Sequence, residues 1–177
     1  MNLDHLSAGN KIPEEFNVII EIPANTTPIK YEMDKEAGAL FVDRFIGTAM
    51  SYPVNYGFIP HTLSEDGDPS DVLVITPYPV AYGAYITCRP LGVLKMEDES
   101  GVDTKILALP TKKICQMYAG IDTIEQLPTL IIDQIKYFFE HYKGLESGKW
   151  VKVTGWDNVE VAKADIIASI ERYNKHK

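Results

Sequence analysis

The chain has 177 residues, which suits a single domain, and 45% of them are hydrophobic, which is enough for a buried core. The formal net charge of −8 at pH 7 argues against a nucleic-acid partner, because proteins that bind nucleic acids usually carry a basic face. No stretch of 18 apolar residues occurs, so the sequence predicts neither a transmembrane helix nor a membrane partner.

Ten of the eleven prolines precede residue 111, which argues against long helices in that part of the chain. Between the prolines lie short runs rich in β-branched and aromatic residues, which are typical of strands. The predicted strands are Phe16–Ile22, Ile29–Met33, Ala39–Phe45, Asp71–Ile75, Tyr85–Met96, Thr104–Pro110 and, later in the chain, Lys149–Trp156.

The final third of the chain changes to a helical period. The first predicted helix has an apolar stripe, with Pro128 in its first turn and Gly144 at its end. A second helix is predicted from about Asn158. The stripe of the first helix is Ile131, Ile135, Phe138, Phe139 and Tyr142, and that of the second is Val159, Ala162, Ile166, Ile170 and Tyr173. We therefore expect a small β-barrel or curled sheet with two helices packed outside it.

Two cysteines, Cys88 and Cys115, lie far apart and form no C-x-x-C pair, which argues against a zinc site or a disulfide framework. Free cysteines are usually buried. We expect both to be reduced core thiols of a cytoplasmic protein.

The segment EDGDPSDV, from Glu65 to Val72, places Asp66, Asp68 and Asp71 on one short turn. At about 5 Å and an effective dielectric constant near 20, each pair of carboxylates repels by about 3 kcal/mol. On an open loop the repulsion falls below about 1 kcal/mol, because water screens it. The turn is therefore predicted to face either water or a cation.

A second acidic cluster, formed by Asp98, Glu99 and Asp103, lies close to Lys105. If the strands curl into a barrel, the two clusters would meet at its mouth together with cationic and phenolic side chains. Carboxylate oxygens suit Mg²⁺, which keeps several of its waters, and cationic donors suit phosphate oxygens. The pattern predicts a site for a metal and a phosphate, although an acidic surface turn is the simpler alternative for each cluster taken alone.

Charged residues also interrupt the apolar strands. Glu21 should share a face with Ile19, whereas Val18, Ile20 and Ile22 should take the other face. In the next strand Lys30 and Glu32 share one face, and in the third strand Arg44 shares a face with Leu40 and Val42. A solvated outer face or a paired strand arginine would also produce these patterns.

Common alternative motifs are absent or fail. An EF-hand loop starting at Asp66 would need glycine where Asp71 stands and glutamate where Pro77 stands. The sequence contains neither a G-x-x-x-x-G-K-[ST] loop nor an H-E-x-x-H pair.

The segment DGDPSDV resembles the signature of the soluble family I inorganic pyrophosphatases of bacteria. The segments EIPANTTPIKYEMDKEAGALFVDRF, YPVNYGFIPHTLSEDGDPSDVLV, RPLGVLKMEDESGVDTKILAL and FFEHYKGLESGKWVKVTGW are similar to the same family. The resemblance covers roughly Pro13 to Tyr173. One departure is Ser70, where the signature usually has an apolar residue, and we expect a local packing change there.

The resemblance implies a mainly β protein, with a five-stranded OB-like β-barrel, two flanking C-terminal helices and an active site at one end of the barrel. It implies a single pyrophosphatase domain over residues 1–177 that hydrolyses pyrophosphate to two orthophosphates with two or more Mg²⁺ ions. It also implies a cytoplasmic homohexamer.

The family motifs also imply roles for individual residues. Asp68 matches the general base, and Tyr56, Lys30 and Arg44 are counted as catalytic as well as substrate-binding. Tyr52 and Glu99 are supporting members. The implied phosphate-binding set is Lys30, Arg44, Tyr56, Lys105, Tyr142 and Lys143, and the implied metal ligands are Asp66, Asp71, Asp98 and Asp103, with Glu32 and Glu21 at the fringe.

The sequence is also compatible with two other functions. One is a metal-dependent phosphohydrolase of another polyphosphate or a nucleotide, for which the many tyrosines could provide a base-stacking platform. The other is an OB-like binding module without catalysis, against which the net charge of −8 argues.

Overall fold

A computed structural model describes residues 5–176, in which eight strands and two helices form one mainly β structure. The strands are β1 (Phe16–Ile22), β2 (Ile29–Asp34), β3 (Ala39–Phe45), β4 (Asn55–Phe58), β5 (Asp71–Val74), β6 (Tyr85–Asp98), β7 (Gly101–Pro110) and β8 (Val151–Asp157). The helices are α1 (Thr129–His141) and α2 (Val159–His176), and a 3₁₀ turn covers Ile124–Gln126.

Five strands form a closed ring in the order β1, β4, β5, β7, β6, because β6 pairs again with β1. Among the described strands of the ring, β5 and β7 pair in parallel and the other neighbours are antiparallel. The expected five-stranded barrel with two helices is therefore confirmed as a closed ring of five strands. β8 continues the sheet beyond β6, and β2 and β3 form a separate two-stranded hairpin.

The long strand β6 closes the ring by changing partners. Its first residues, up to Cys88, pair with β1, and its second half, from Val93, pairs with β8. Pro90 and Gly92 lie between the two halves, where the register with β7 shifts. A Cβ atom on Gly92 would lie 2.2 Å from the Ile124 side chain and 2.6 Å from the Asp157 carbonyl oxygen. Only glycine therefore lets these segments approach at the change of partner.

The two helices cover opposite faces of the ring strands. Val72 and Val74 of β5 pack in one core cluster with Ala162 and Ile166 of α2. Leu73, between them, packs in the other core cluster with Phe138, Phe139 and other α1 side chains. This alternation follows from the two-residue period of a strand.

Strand β4 is missing from the sequence prediction. Its four residues, NYGF, show no alternation, and prolines flank the segment on both sides. The strand nevertheless lies inside the ring between β1 and β5. A Cβ atom on Gly57 would lie only 2.0 Å from the Ile19 carbonyl oxygen, so the glycine permits this close pairing.

One face assignment in β1 is wrong. The register with β4 shifts between Ile20 and Ile22, which is the mark of a bulge. Val18 and Ile20 therefore pack towards α2, but Ile22 joins the cluster around α1. Glu21 lies as expected on the side of Ile19, because Ile19 packs against Met33 and the Met33 N–H donates to Glu21 Oε1 at 2.7 Å.

Both predicted helices are confirmed. The α1 stripe is buried at Ile135, Phe138 and Phe139, and Pro128 lies immediately before the helix rather than in its first turn. Asn158 caps α2, since its Oδ1 accepts the N–H groups of Glu160 and Val161. Within residues 5–176, neither helix combines the length and the apolar character needed to cross a membrane.

Candidate active site

A cleft of about 450 Å³ opens where the ring meets the β2–β3 hairpin and the end of α1. Every side chain predicted for the site lines this cleft. These residues are Glu21, Lys30, Glu32, Arg44, Tyr52, Tyr56, Asp66, Asp68, Asp71, Asp98, Glu99, Asp103, Lys105, Tyr142 and Lys143.

The turn that carries Asp66 and Asp68 and leads into Asp71 of β5, called the aspartate turn below, is held by hydrogen bonds of its own backbone groups. The Ser64 N–H donates to the Asp68 carbonyl oxygen at 2.7 Å, and the Asp68 N–H donates to Asp66 Oδ1 at 3.0 Å. Gly67 has a φ of +94°, in the region that favours glycine. This geometry keeps the carboxylates on one short segment at the edge of the cleft.

Ser70 lies behind the turn and lines a second cavity of about 230 Å³ rather than the cleft. It is buried, its N–H donates to Thr62 Oγ1 at 2.9 Å, and its hydroxyl lies 3.2 Å from Ser64 Oγ. The polar side chain that departs from the family signature therefore has a hydrogen-bond partner inside the protein.

Lys105 is the most enclosed charge of the site. Its Nζ donates to Asp71 Oδ2 at 2.7 Å and to Asp103 Oδ1 at 3.0 Å. The same atom lies 5.3 Å and 5.5 Å from the ring centroids of Tyr56 and Phe139, within the range of cation–π contacts. Burial would lower the pKa of Lys105, but the two carboxylates outweigh burial and raise the pKa well above its usual value. Lys105 is therefore a permanent cation at the floor of the cleft.

Lys143, just beyond α1, joins the helix to the turn between β6 and β7. Its Nζ donates to Asp98 Oδ2 at 2.7 Å and to Glu99 Oε1 at 3.3 Å. Burial would raise the pKa of Asp98, but the hydrogen bonds from Lys143 and from the Ser100 N–H lower it below its usual value. The predicted strands stop short of this turn, which in the structure is the tip of a longer hairpin.

The β2–β3 hairpin supplies the opposite wall. Lys30 and Arg44 are cross-strand partners, so both side chains reach the cleft together. Lys30 pairs with Glu32, and the Arg44 guanidinium donates to Asp43 Oδ2 at 2.8 Å and to Glu146 Oε1 at 3.2 Å.

Sequence reasoning missed several charged residues around the cleft. Glu146 holds Arg44 and also pairs with Lys149 at 3.0 Å, and both Lys149 and Lys35 line the cleft. These residues lie in turns without periodicity, and Glu146 meets Arg44 across about a hundred residues of chain. No pattern within one segment could have indicated such a contact.

The tyrosines of the site are core residues with their rings enclosed. Tyr52, Tyr56 and Tyr142 are 3%, 7% and 6% exposed, and the Tyr52 and Tyr142 rings pack on Phe138 at 4.5 and 4.9 Å. Burial raises the pKa of all three phenols. Their hydroxyl groups therefore stay protonated at neutral pH and can donate hydrogen bonds.

The cleft carries more carboxylate charge than its lysines compensate. Burial, reinforced by Asp71 and Glu32, raises the pKa of Glu21 to about 8, although a bond from the Met33 N–H opposes the shift. Partial burial and Asp66 likewise raise the pKa of Asp68. A positive ion among these groups would relieve the repulsion.

Within residues 5–176, no three Asp, Glu, His or Cys side chains are already arranged to hold a metal ion. Four of the carboxylates are engaged in ion pairs, since Lys105 contacts oxygens of Asp71 and Asp103 and Lys143 contacts oxygens of Asp98 and Glu99. The donor chemistry still fits a hydrated divalent cation, which prefers oxygen ligands and needs only one or two carboxylates beside its waters.

Comparison with known proteins gives a consistent result. The model of the inorganic pyrophosphatase family matches residues 18–174. The inorganic pyrophosphatase of Salmonella typhimurium is 62% identical over 175 residues, which is 99% of this chain and 99% of that protein. That of Escherichia coli is 61% identical over 172 residues, 97% of this chain and 98% of that protein.

Solved structures agree with the sequence comparisons. An inorganic pyrophosphatase from Thermus thermophilus superimposes with a TM-score of 0.93 at 43% identity, and the match covers 98% of this chain and 99% of that chain. One from Coxiella burnetii gives a TM-score of 0.92 at 54% identity, with 95% and 99% covered. The similarity therefore extends over the whole ring, the hairpin and both helices.

Proposed function

Because the chain belongs to the inorganic pyrophosphatase family, we propose that it hydrolyses inorganic pyrophosphate to two orthophosphates as one domain over residues 1–177. The observation that carries the proposal is the match over nearly the whole chain, together with one cleft that collects every residue the family motifs imply. No covalent enzyme intermediate is needed, because water is the attacking group.

The substrate is a small polyanion, and the cleft offers it donors on three sides. Lys30 and Arg44 approach from the hairpin, Lys105 from the ring, and Tyr142 and Lys143 from the end of α1. With Tyr56, these residues form the proposed substrate-binding set, and Tyr52 and Glu99 support it by packing and by pairing with Lys143. Hydrogen bonds from charged donors to phosphate oxygens are stronger than those between neutral groups.

The family implies a divalent metal cofactor, and we propose Mg²⁺ with two or more ions per site. Asp66, Asp71, Asp98 and Asp103 would hold the ions, and Glu21 and Glu32 would act at the fringe, partly through water. When bound, such ions lower the pKa of a coordinated water and neutralise charge on the phosphates.

Asp68 is the proposed general base. It lies between the two carboxylates of its turn, and partial burial and Asp66 raise its pKa, which strengthens it as a proton acceptor. The carboxylate takes a proton from the attacking water, whose oxygen bonds to one phosphorus as the bond from that phosphorus to the bridging oxygen breaks. Lys30, Arg44 and Tyr56 stabilise the charge that develops on the departing phosphate.

The structure disfavours a nucleotide as the substrate. The Tyr52, Tyr56 and Tyr142 rings are nearly completely buried among α1 side chains, so they offer no open face on which a base could stack. An OB-like binding module without catalysis is disfavoured because acidic side chains outnumber basic ones around the cleft. Activity on pyrophosphate but not on ATP, both with Mg²⁺, would support the smaller substrate.

We further propose a homohexamer in the cytoplasm. Phe45 and Leu145 are 73% and 75% exposed, which supports burial of these side chains against another copy of the chain. Cys88 and Cys115 are free and buried, which supports a reducing compartment. Light scattering on the purified protein would test the hexamer.

The function is tested by measuring phosphate release from pyrophosphate at controlled concentrations of divalent metal ions. We expect no hydrolysis in excess EDTA and full recovery with Mg²⁺. Ca²⁺ should bind without supporting the reaction, since its longer bonds and looser geometry would misplace the attacking water. Full activity in EDTA would overturn the metal-dependent proposal, and equal activity with Ca²⁺ would overturn its geometric basis.

A further inference from the structure

One cation of the cleft differs from all the others. Lys30, Arg44, Lys105, Lys143 and Lys149 each have a carboxylate partner. Lys35 also lines the cleft, but within residues 5–176 its side chain forms neither an ion pair nor a hydrogen bond. A polyanion that enters the cleft therefore meets one ammonium group that is not already held in an ion pair.

The turn that carries Lys35 is fixed by hydrogen bonds. It follows β2 at the turn of the hairpin, where Asp34 Oδ1 accepts the N–H groups of Glu36 and Ala37 at 2.9 and 2.8 Å. The hairpin in turn is anchored by buried Met33, whose N–H is bound by Glu21. Lys35 is thus an exposed side chain on a hydrogen-bonded turn.

The charges around Lys35 leave two possible roles for it. Lys35 acts through its charge on Asp68: burial and Asp66 raise the pKa of that carboxyl, and Lys35 opposes the rise. If Lys35 only balanced the aspartate turn, it would compete with the divalent ions that the same turn is proposed to hold. An anion on the open side of the ammonium group avoids this competition.

We propose that Lys35 is a further pyrophosphate-binding residue, which attracts the anion at the mouth of the cleft and holds a phosphate from the hairpin side. The inference rests on the proposed pyrophosphatase function. Because Lys35 is exposed to water, its contribution should be that of a surface ion pair and should weaken with salt.

The test compares Lys35→Gln with Lys35→Arg and with Lys175→Gln. The last variant removes the same charge from an exposed position on α2, outside both cavities. At saturating Mg²⁺ and low ionic strength, we expect Lys35→Gln to raise KM for pyrophosphate about two- to five-fold with little change in kcat. Lys35→Arg and Lys175→Gln should keep the wild-type KM, and the difference should shrink near 1 M salt, where the Debye length is about 3 Å.

Two results would overturn the inference. The first is the same KM in Lys35→Gln as in Lys175→Gln. The second is an unchanged KM with a lower Mg²⁺ requirement, which would make Lys35 a counter-ion of the aspartate turn. Wild-type protein in the same assay separates the proposals, since its inactivity would reject the pyrophosphatase function itself, whereas an active wild type confines a negative result to Lys35.

Discussion

The two walls of the cleft hold their charges in different ways. On the ring wall, the Lys105 side chain is 4% exposed and lies between two carboxylates. On the hairpin wall, the side chains of Lys30 and Arg44 are 20% and 24% exposed, and their partners are partly exposed acidic residues of the hairpin and of the loop after α1. Similar residue types therefore stand in environments with very different access to water.

This difference separates stability from substrate binding. Breaking a buried pair leaves an uncompensated charge and is strongly destabilising, whereas exposed pairs contribute about 0–1 kcal/mol. The ring wall is thus expected to serve both the fold and the reaction. The hairpin wall, whose side chains water can reach, is expected to serve substrate binding almost alone.

The largest expected effect comes from removing Lys105. In EDTA, Lys105→Met should lower the free energy of unfolding by about 3–5 kcal/mol, because it leaves Asp71 and Asp103 unpaired. Lys30→Met, the matched variant on the hairpin, should cost under about 1 kcal/mol. Urea denaturation at one protein concentration measures both, and phosphate release should be strongly reduced in both.

Measuring the stability of both variants with Mg²⁺ tests this comparison further. Mg²⁺ should restore part of the stability of Lys105→Met, since a cation can then take the place of the ammonium between the two carboxylates. It should not change the small effect of Lys30→Met. Equal destabilisation by the two variants would show that the walls do not differ in the way their burial indicates.

A smaller but specific effect is expected within the aspartate turn. Asp68→Asn should leave melting temperature and Mg²⁺ affinity nearly unchanged but lower kcat by about 10²- to 10⁴-fold, because the amide cannot accept the proton. Asp71→Asn should instead weaken Mg²⁺ binding and disturb Lys105. Kinetics at several Mg²⁺ concentrations distinguish the two, and a fully active Asp68→Asn variant at neutral pH would assign the base to another group.

The smallest effect is expected behind the turn. Ser70→Val removes the hydroxyl contact with Ser64 and adds one methyl group beside the second cavity, while the partly exposed Ser64 hydroxyl can bond to water instead. Stability should change by less than about 1 kcal/mol and the kinetic constants by less than about two-fold. Thr62→Val is the control, because it leaves the buried Ser70 N–H without its acceptor and should cost about 1–3 kcal/mol. A loss in Ser70→Val as large as in Thr62→Val would make the hydroxyl pair a structural support of the turn.

Sequence patterning predicted the elements whose signal is local. The stripe of α1 and the short apolar runs of β5 and β7 are each visible in a few residues, and the structure places a helix and two strands there as expected. The four-residue strand β4 and the bulge in β1 have no such signal, because both arise from pairing between segments. A strand register is chosen by the partner, and a single segment contains no information on it.

By itself, the sequence determined which chemistry is present: two acidic clusters, lone cations inside strands, and family motifs over nearly the whole chain. Only the tertiary structure decided which charges are buried, so that Lys105 is enclosed by Asp71 and Asp103 while Lys35 stays exposed at the edge of the cleft. The physical reason is that the interaction energy between charges depends on their separation and on how far water can screen them. Both are set by the closure of the ring and by the position of the hairpin, which bring together residues far apart in the chain.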